Sequence, residues 1–105
     1  MQIKVGPLLI PVVEYDLLME GEVQLHGQMN WIDFEIKLSN HNPPIYKFIT
    51  LWHEVLHALN DTHGIKLQER QIATMATGIV QILQDNENMR VPPTQLLKET
   101  HDKVS

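Results

Sequence analysis

The stretch that decides how this chain folds and works is "TLWHEVLHALNDTHGIKLQER", residues 50–70, which contains an H-E-x-x-H motif at 53–57. Residues four apart on an α-helix share one face, so the imidazoles of His53 and His57 can reach one cation. Zinc accepts nitrogen and carboxylate ligands in a tetrahedral array, and a catalytic zinc site keeps one position for water. Glu54 is then placed to take a proton from that water. The motif therefore predicts a metal-activated water with Glu54 as its general base.

The composition is that of one small globular domain. The chain has 105 residues, of which 43% are hydrophobic and 20% are charged, values close to those of ordinary soluble proteins. We expect a single domain over 1–105, with a core over about 1–87 and a polar tail over 88–105. The formal net charge is −5 and the basic residues are scattered. This acidic charge argues against a nucleic-acid partner, because binding to the phosphate backbone requires clustered Lys and Arg.

Cysteine is absent from the sequence. Disulfide scaffolds and thiolate metal sites are therefore excluded, and a metal has to be held by His, Asp, Glu or water. The apolar N-terminal stretch contains two prolines and is followed by acidic residues, which is atypical of a signal peptide. No apolar run approaches the roughly 18 residues that a membrane-spanning helix needs. We expect a cytoplasmic protein without a membrane partner.

The first third of the chain has the pattern of β-strands. Ile3 and Val5 alternate with polar neighbours, and residues 8–13 are rich in aliphatic side chains. Residues 31–38, "WIDFEIKL", alternate strictly, with apolar side chains from Ile32 to Leu38 on one face. Such alternation is typical of a half-buried strand. The pattern predicts a small antiparallel sheet of about three strands.

The rest of the chain has helical periodicity, which makes the fold class α+β. A helix over about 45–60 is apolar almost all round, which predicts a buried position. Asn60 or Gly64 is suited to end it, because both residue types tolerate a left-handed conformation. An amphipathic second helix over about 67–84 is expected to pack antiparallel to the first. A short helix over about 94–103 is predicted in the tail.

The motif needs a third protein ligand, and two candidates remain open. His63 has the metzincin spacing H-E-x-x-H-x-x-G-x-x-H, except that Asn60 occupies the glycine position. Glu69 lies on the apolar stripe of the second helix, where an inward carboxylate needs a cation or strong donors. In a hairpin that turns near His63, His57 and Glu69 lie equally far from the turn and face each other. This gluzincin-like arrangement favours Glu69, with His63 as the alternative.

Three stretches together resemble a known family. They are "LHGQMNWIDFEIKL" at 25–38, "TLWHEVLHAL" at 50–59 and "GIKLQERQIATMATGIVQILQDN" at 64–86. In this order they resemble the small zincin-like metallopeptidases of the ImmA/IrrE type, in the compact form found among phage and prophage proteins. Only the H-E-x-x-H motif within them is specific.

The resemblance implies a minimal zincin-like fold and a zinc-dependent metallopeptidase that cleaves a regulatory protein. It implies that His53, His57 and Glu69 bind Zn²⁺ and that Glu54 is the general base. It also implies that the strand around 34–38 lies beside the site and offers an open edge to an extended protein or peptide substrate. The alternative interpretation is a zinc-binding interaction module of phage origin that has no catalytic activity.

Overall fold

In a computed structural model, the structure describes residues 1–90. Its elements are β1 (Gln2–Val5), β2 (Leu8–Tyr15), β3 (Met19–Glu20), β4 (Val23–Gln24), β5 (Gly27–Asn30), β6 (Glu35–Ser39), α1 (Pro44–His63), α2 (Glu69–Asp85) and a short 3-10 helix (Glu87–Arg90). The helix predicted over 94–103 lies outside the described residues. No helix within residues 1–90 is long and apolar enough to cross a membrane.

The strands form a four-stranded sheet and a separate two-stranded hairpin. The sheet has the order β1-β2-β6-β5, and β3 pairs only with β4. The β1–β2 and β5–β6 pairs are antiparallel, whereas β2 and β6 are parallel. The α+β class and a small, mostly antiparallel sheet are confirmed; the sheet has four strands where about three were predicted, and one of its pairs is parallel. The long connection over 16–34 returns the chain so that β6 runs alongside β2, and side-chain alternation does not encode that direction.

The strand predicted over 31–38 is shorter than its sequence pattern. It begins at Glu35, and residues 31–34 form the turn of the β5–β6 hairpin. Phe34 has φ 54°, which is incompatible with an extended strand. Ile32, which the alternation placed on the buried face, is 96% exposed. The alternation therefore describes the sheet only from Glu35 onward.

Two hydrophobic clusters hold α1 in place. One lies between the sheet and α1 and contains Val5, Ile10, Ile36, Leu38, Val55 and Ala58. The other lies between the two helices and contains Leu56, Ile72 and Ala76. The N-terminal turns of α1 keep apolar side chains exposed, with Phe48 41% accessible. The prediction of a helix buried all round is thus wrong at this end, because the sheet and α2 cover α1 mainly from Glu54 onward.

The two helices form a hairpin whose turn is fixed by specific residues. Of the two residues suited to end α1, Gly64 does so, with φ 64° in the left-handed conformation, and the helix runs three residues past the predicted end near residue 60. The Asn60 side chain spans the link between the helices: its Oδ1 accepts a hydrogen bond from Leu67 N at 2.8 Å, and its Nδ2 donates to Leu67 O at 3.5 Å. This tie sets where α2 begins, and Glu69 is the first residue of α2.

Candidate metal centre

Three side chains predicted as ligands come together near the turn of the helix hairpin, where α2 begins. His53 Nε2 lies 2.5 Å from Glu69 Oε1, and His57 Nε2 lies 2.8 Å from Glu69 Oε2. The two imidazole centroids are 4.9 Å apart. One donor atom from each residue falls within 4.8 Å of the others, so the cluster can hold a metal ion.

The local sequence explains this convergence. His53 and His57 are one turn apart on α1, a helix held in the described structure by both hydrophobic clusters. Glu69 occupies the first turn of α2, where the helix dipole stabilises a carboxylate. A capping box fixes that turn, since the side chains of Gln68 and Gln71 each accept a hydrogen bond from the other residue's backbone N–H. The carboxylate therefore starts from an ordered helix end opposite the histidines.

His63, the alternative third ligand, lies apart from this cluster. Its side chain is exposed, and its Nδ1 is 3.2 Å from the carbonyl oxygen of Leu59. The metzincin spacing requires the chain to leave the helix at the position of Asn60, whereas α1 continues to His63. Six further helical residues rotate a side chain by about 240° relative to His57. His63 is thus directed away from the two histidines of the motif.

The donor set fits zinc. Two imidazole nitrogens and one carboxylate oxygen match a three-ligand catalytic zinc site that leaves a fourth position for water. Ligand atoms around a tetrahedral zinc are separated by about 3.3 Å, as follows from metal–ligand distances near 2.0 Å. The carboxylate of Glu69 is closer than this to both imidazoles, so it has to withdraw by roughly 0.5–0.8 Å to admit the ion. The Glu69 side chain is 66% exposed, which leaves it free to do so.

Glu54 has the opposite surroundings. It is only 6% exposed, and within residues 1–90 no hydrogen bond reaches its carboxylate. Burial raises the pKa of the Glu54 carboxyl, and the neighbouring His57 and His53 partly offset this effect. A buried carboxylate without donors is costly unless it faces a cation or handles a proton. Its place beside the two histidines matches the predicted general base.

The cluster opens into a cleft of about 570 Å³ between β5, the two helices and the β3–β4 hairpin. The cleft is lined by Glu20, Leu25, His26, Gly27, Gln28, Met29, Ile49, Thr50, His53, Glu54, His57, Asp61 and Glu69. A space of this size is in the usual range for ligand sites. The donor atoms of the cluster are therefore accessible to a substrate.

The open sheet edge beside this cleft is β5, which corrects the expectation for the strand around 34–38. That strand corresponds to β6, which is paired on both sides, with β2 and with β5. Ser39 N donates to His26 O at 2.9 Å, so His26 pairs with β6 and alternation turns the backbone groups of Gly27 and Met29 outward. These two residues present free main-chain donors and acceptors along the cleft, within the described part of the chain.

Gly27 sets how closely β5 approaches the motif helix. A Cβ built on Gly27 overlaps Thr50 Cγ2 and lies 3.3 Å from Lys37 O. Thr50 precedes Glu54 by one helical turn, so this contact brings the open edge next to the site. Gly27 and Asn60 are positioning residues that the sequence alone did not identify. Asn60 was predicted only as a possible end of the first helix. Neither role follows from the sequence, because the Gly27–Thr50 approach and the Asn60–Leu67 hydrogen bonds exist only in the folded chain.

Comparison with known proteins gives no significant match among family models, curated proteins or solved structures. The resemblance to the ImmA/IrrE type therefore stays a prediction, based on the three stretches quoted above. The geometry of His53, His57 and Glu69 is an independent observation on the chain itself.

Proposed function

We propose that this protein is a zinc-dependent metallopeptidase that hydrolyses a peptide bond of a protein or peptide substrate. One observation carries the proposal: the buried Glu54 carboxylate lies beside a cluster of two histidines and one glutamate in an open cleft. The H-E-x-x-H spacing gives each of these residues a chemical role. That the substrate is a regulatory protein is supported only by the sequence resemblance.

In this proposal His53, His57 and Glu69 hold the zinc ion. A zinc ion supplies Lewis acidity, which acidifies a water molecule near neutral pH and polarises a carbonyl group. Glu54 accepts the proton of the attacking water, because its carboxylate has no competing hydrogen-bond donor within residues 1–90. Glu54 then returns the proton to the leaving amine, as a general base that becomes a general acid.

The substrate is proposed to bind along β5. An extended peptide can pair with the outward backbone groups of Gly27 and Met29 and so add a strand to the sheet. This pairing positions the chain beside α1, since the Gly27–Thr50 contact holds the edge against the helix. Main-chain pairing supplies affinity for any extended segment, and specificity then depends on side-chain pockets along the cleft.

The test is Glu54→Gln, which keeps side-chain size and removes the base. Hydrolysis of a mixture of unfolded proteins, followed by mass spectrometry, is expected to fall by about 10²–10⁴-fold, while zinc content stays unchanged. The matched control is Glu87→Gln, which makes the same charge change at an exposed position in the 3-10 helix and leaves hydrolysis intact. Retained hydrolysis in Glu54→Gln would contradict the proposed role.

The same experiment separates the alternative of a zinc-binding interaction module. The observation that favours this alternative is the open β5 edge, which can dock an extended chain without cleaving it. A module of this kind binds zinc through the same three residues, but neither the wild type nor Glu54→Gln hydrolyses any substrate. Wild-type hydrolysis that depends on Glu54 excludes it.

A further inference from the structure

A second pocket adjoins the cleft at the C-terminal end of α1. It has a volume of about 290 Å³ and is lined by Leu8, Trp31, Asp61 and Thr62. Asp61 lines both the pocket and the cleft. It continues the four-residue row of His53 and His57 on α1, yet it does not belong to the metal cluster. The pocket is therefore connected to the site through one carboxylate.

Trp31 forms the aromatic wall of this pocket. Its Nε1 donates a hydrogen bond to Asp61 Oδ2 at 2.9 Å, and its ring packs against Phe34 with centroids 6.2 Å apart. These two contacts fix the indole, although the residue remains 40% exposed. Within residues 1–90 Asp61 forms no ion pair, so its carboxylate has capacity for a cation.

We propose that this pocket is a specificity pocket for a Lys or Arg side chain of the peptide substrate. The aliphatic stem of such a side chain packs on Leu8 and the Trp31 ring, and its cationic end meets the Asp61 carboxylate. The indole face adds a cation–π contribution. An apolar wall that ends in a carboxylate rejects acidic side chains and binds neutral aliphatic ones more weakly.

The charge of the neighbouring cleft supports the same substrate class. The side chains that line the cleft and the pocket include the carboxylates of Glu20, Glu54, Asp61 and Glu69, whereas neither lining contains Lys or Arg. A zinc ion held by His53, His57 and Glu69 would offset the charges of Glu54 and Glu69. The negative charge of Glu20 and Asp61 remains along the path of the substrate and attracts a basic chain.

The distance between the pocket and the metal cluster determines which residue of the substrate the pocket can bind. Asp61 follows His57 by one helical turn, which corresponds to about 6 Å along the axis of α1. Two residues of an extended peptide cover about 6.6 Å. The recognised Lys or Arg is therefore about two residues from the bond that is cleaved. This assignment of a substrate position rests on the proposed function, whereas the binding of a basic side chain does not.

The Trp31–Asp61 hydrogen bond also ties the β5–β6 turn to α1, and the test has to separate this structural role from recognition. Asp61→Asn does so, because the asparagine oxygen still accepts the Trp31 hydrogen bond while the charge is lost. Glu87→Gln makes the same change in net charge at an exposed position outside both pockets. Thermal unfolding of both variants checks that the fold is retained.

The probes are the blocked tripeptides acetyl-Ala-Lys-Ala-amide and acetyl-Ala-norleucine-Ala-amide, which differ by one charge. Each is titrated into ¹⁵N-labelled full-length chain, and the indole Nε1–H signals of Trp31 and Trp52 are followed by NMR. The lysine peptide is expected to shift the Trp31 signal and leave the Trp52 signal in place. Asp61→Asn weakens this binding by roughly five-fold, the loss of one partly exposed ion pair, and Glu87→Gln leaves it unchanged.

Equal binding of the two peptides, no binding of either, or unchanged lysine binding in Asp61→Asn would each overturn the proposal. This readout requires no hydrolysis. A protein that selects the lysine peptide but cleaves nothing refutes the peptidase and keeps the pocket. A protein that cleaves peptides without preference for a basic residue refutes the pocket and keeps the peptidase.

Discussion

The middle of α1 and the start of α2 each contribute a carboxylate to the same site, in opposite surroundings. Glu54 on α1 is 6% exposed and has no hydrogen-bond donor within residues 1–90. The Glu69 side chain on α2 is 66% exposed and contacts both His53 and His57. The Glu54 carboxylate is therefore buried where its negative charge is unfavourable, whereas the Glu69 carboxylate is exposed and can move.

The two helices therefore contribute to the site in different ways. Val55, Leu56 and Ala58 anchor the motif helix in the core, so the side chains of His53, Glu54 and His57 start from a rigid backbone. The first turn of α2 is exposed and depends on the capping box and the Asn60 tie for its place. We infer that α1 supplies the fixed geometry of the site, whereas Glu69 adjusts to the ion.

The largest effect is expected on zinc affinity, from substitution of a histidine on α1. His57→Ala removes one of three donors, and zinc affinity should fall by more than about 100-fold, which exceeds the usual loss from an outer-shell partner. The measurement is a competition titration with a chromophoric zinc chelator. His26→Ala, which removes a histidine from the cleft wall outside the cluster, is the control. Equal affinity of His57→Ala and the wild type would show that α1 does not hold the ion.

The next effect concerns the packing that places β5 against α1. Gly27→Ala should lower the free energy of unfolding by about 1–3 kcal/mol, because the new Cβ overlaps Thr50 Cγ2. Urea denaturation measures the loss, and adding Thr50→Ser should restore part of it. The matched control is Gly78→Ala on α2, where a Cβ meets nothing within 4 Å. That substitution should stabilise the protein by about 0.5–1 kcal/mol. Identical behaviour of the two glycine variants would contradict the close approach.

A smaller effect on stability and zinc affinity should come from the hydrogen bonds that position the start of α2. Asn60→Ala removes both hydrogen bonds to Leu67 and should lower the free energy of unfolding by about 1 kcal/mol. Zinc affinity should also fall several-fold, since Glu69 loses the tie that sets its helix start. Urea denaturation and the chelator titration measure the two quantities. A stability loss without any change in zinc affinity would show that Glu69 is placed by the capping box alone.

The smallest effects compare the two carboxylates directly in metal-free protein. Glu54→Gln should raise the free energy of unfolding by about 0.5–1 kcal/mol near neutral pH, because it removes a buried charge without donors. Glu69→Gln, at an exposed position, should change it by less than about 0.5 kcal/mol. Denaturant unfolding in the presence of a chelator measures both. A destabilised Glu54→Gln would mean that its carboxylate has a structural partner.

The helix hairpin and its cluster could be predicted from the sequence because helical geometry is local. The four-residue spacing of His53 and His57 fixes their shared face, and the position of Glu69 on the apolar stripe directs it toward α1. The end of α1 at Gly64 follows from the conformational freedom of glycine. The third-ligand alternatives also became distinct only through geometry, since α1 continues past Asn60 to His63.

The sheet could not be predicted to the same depth because strand pairing is long-range. Alternation in residues 31–38 identified Ile36 and Leu38 as buried but did not show that Phe34 adopts a positive φ. Nor did it show that β5, with little apolar content, forms the open edge of the sheet. For the same reason it did not show that Trp31 lies half-exposed beside Asp61.

The most direct test of the central claim is the zinc content of purified protein, measured by native mass spectrometry for the wild type, Glu69→Ala and His63→Ala at matched pH. The account predicts about one zinc ion per chain in the wild type and in His63→Ala, and loss of the ion in Glu69→Ala. Loss of zinc in His63→Ala with retention in Glu69→Ala, or a wild type that binds no zinc after reconstitution, would contradict it.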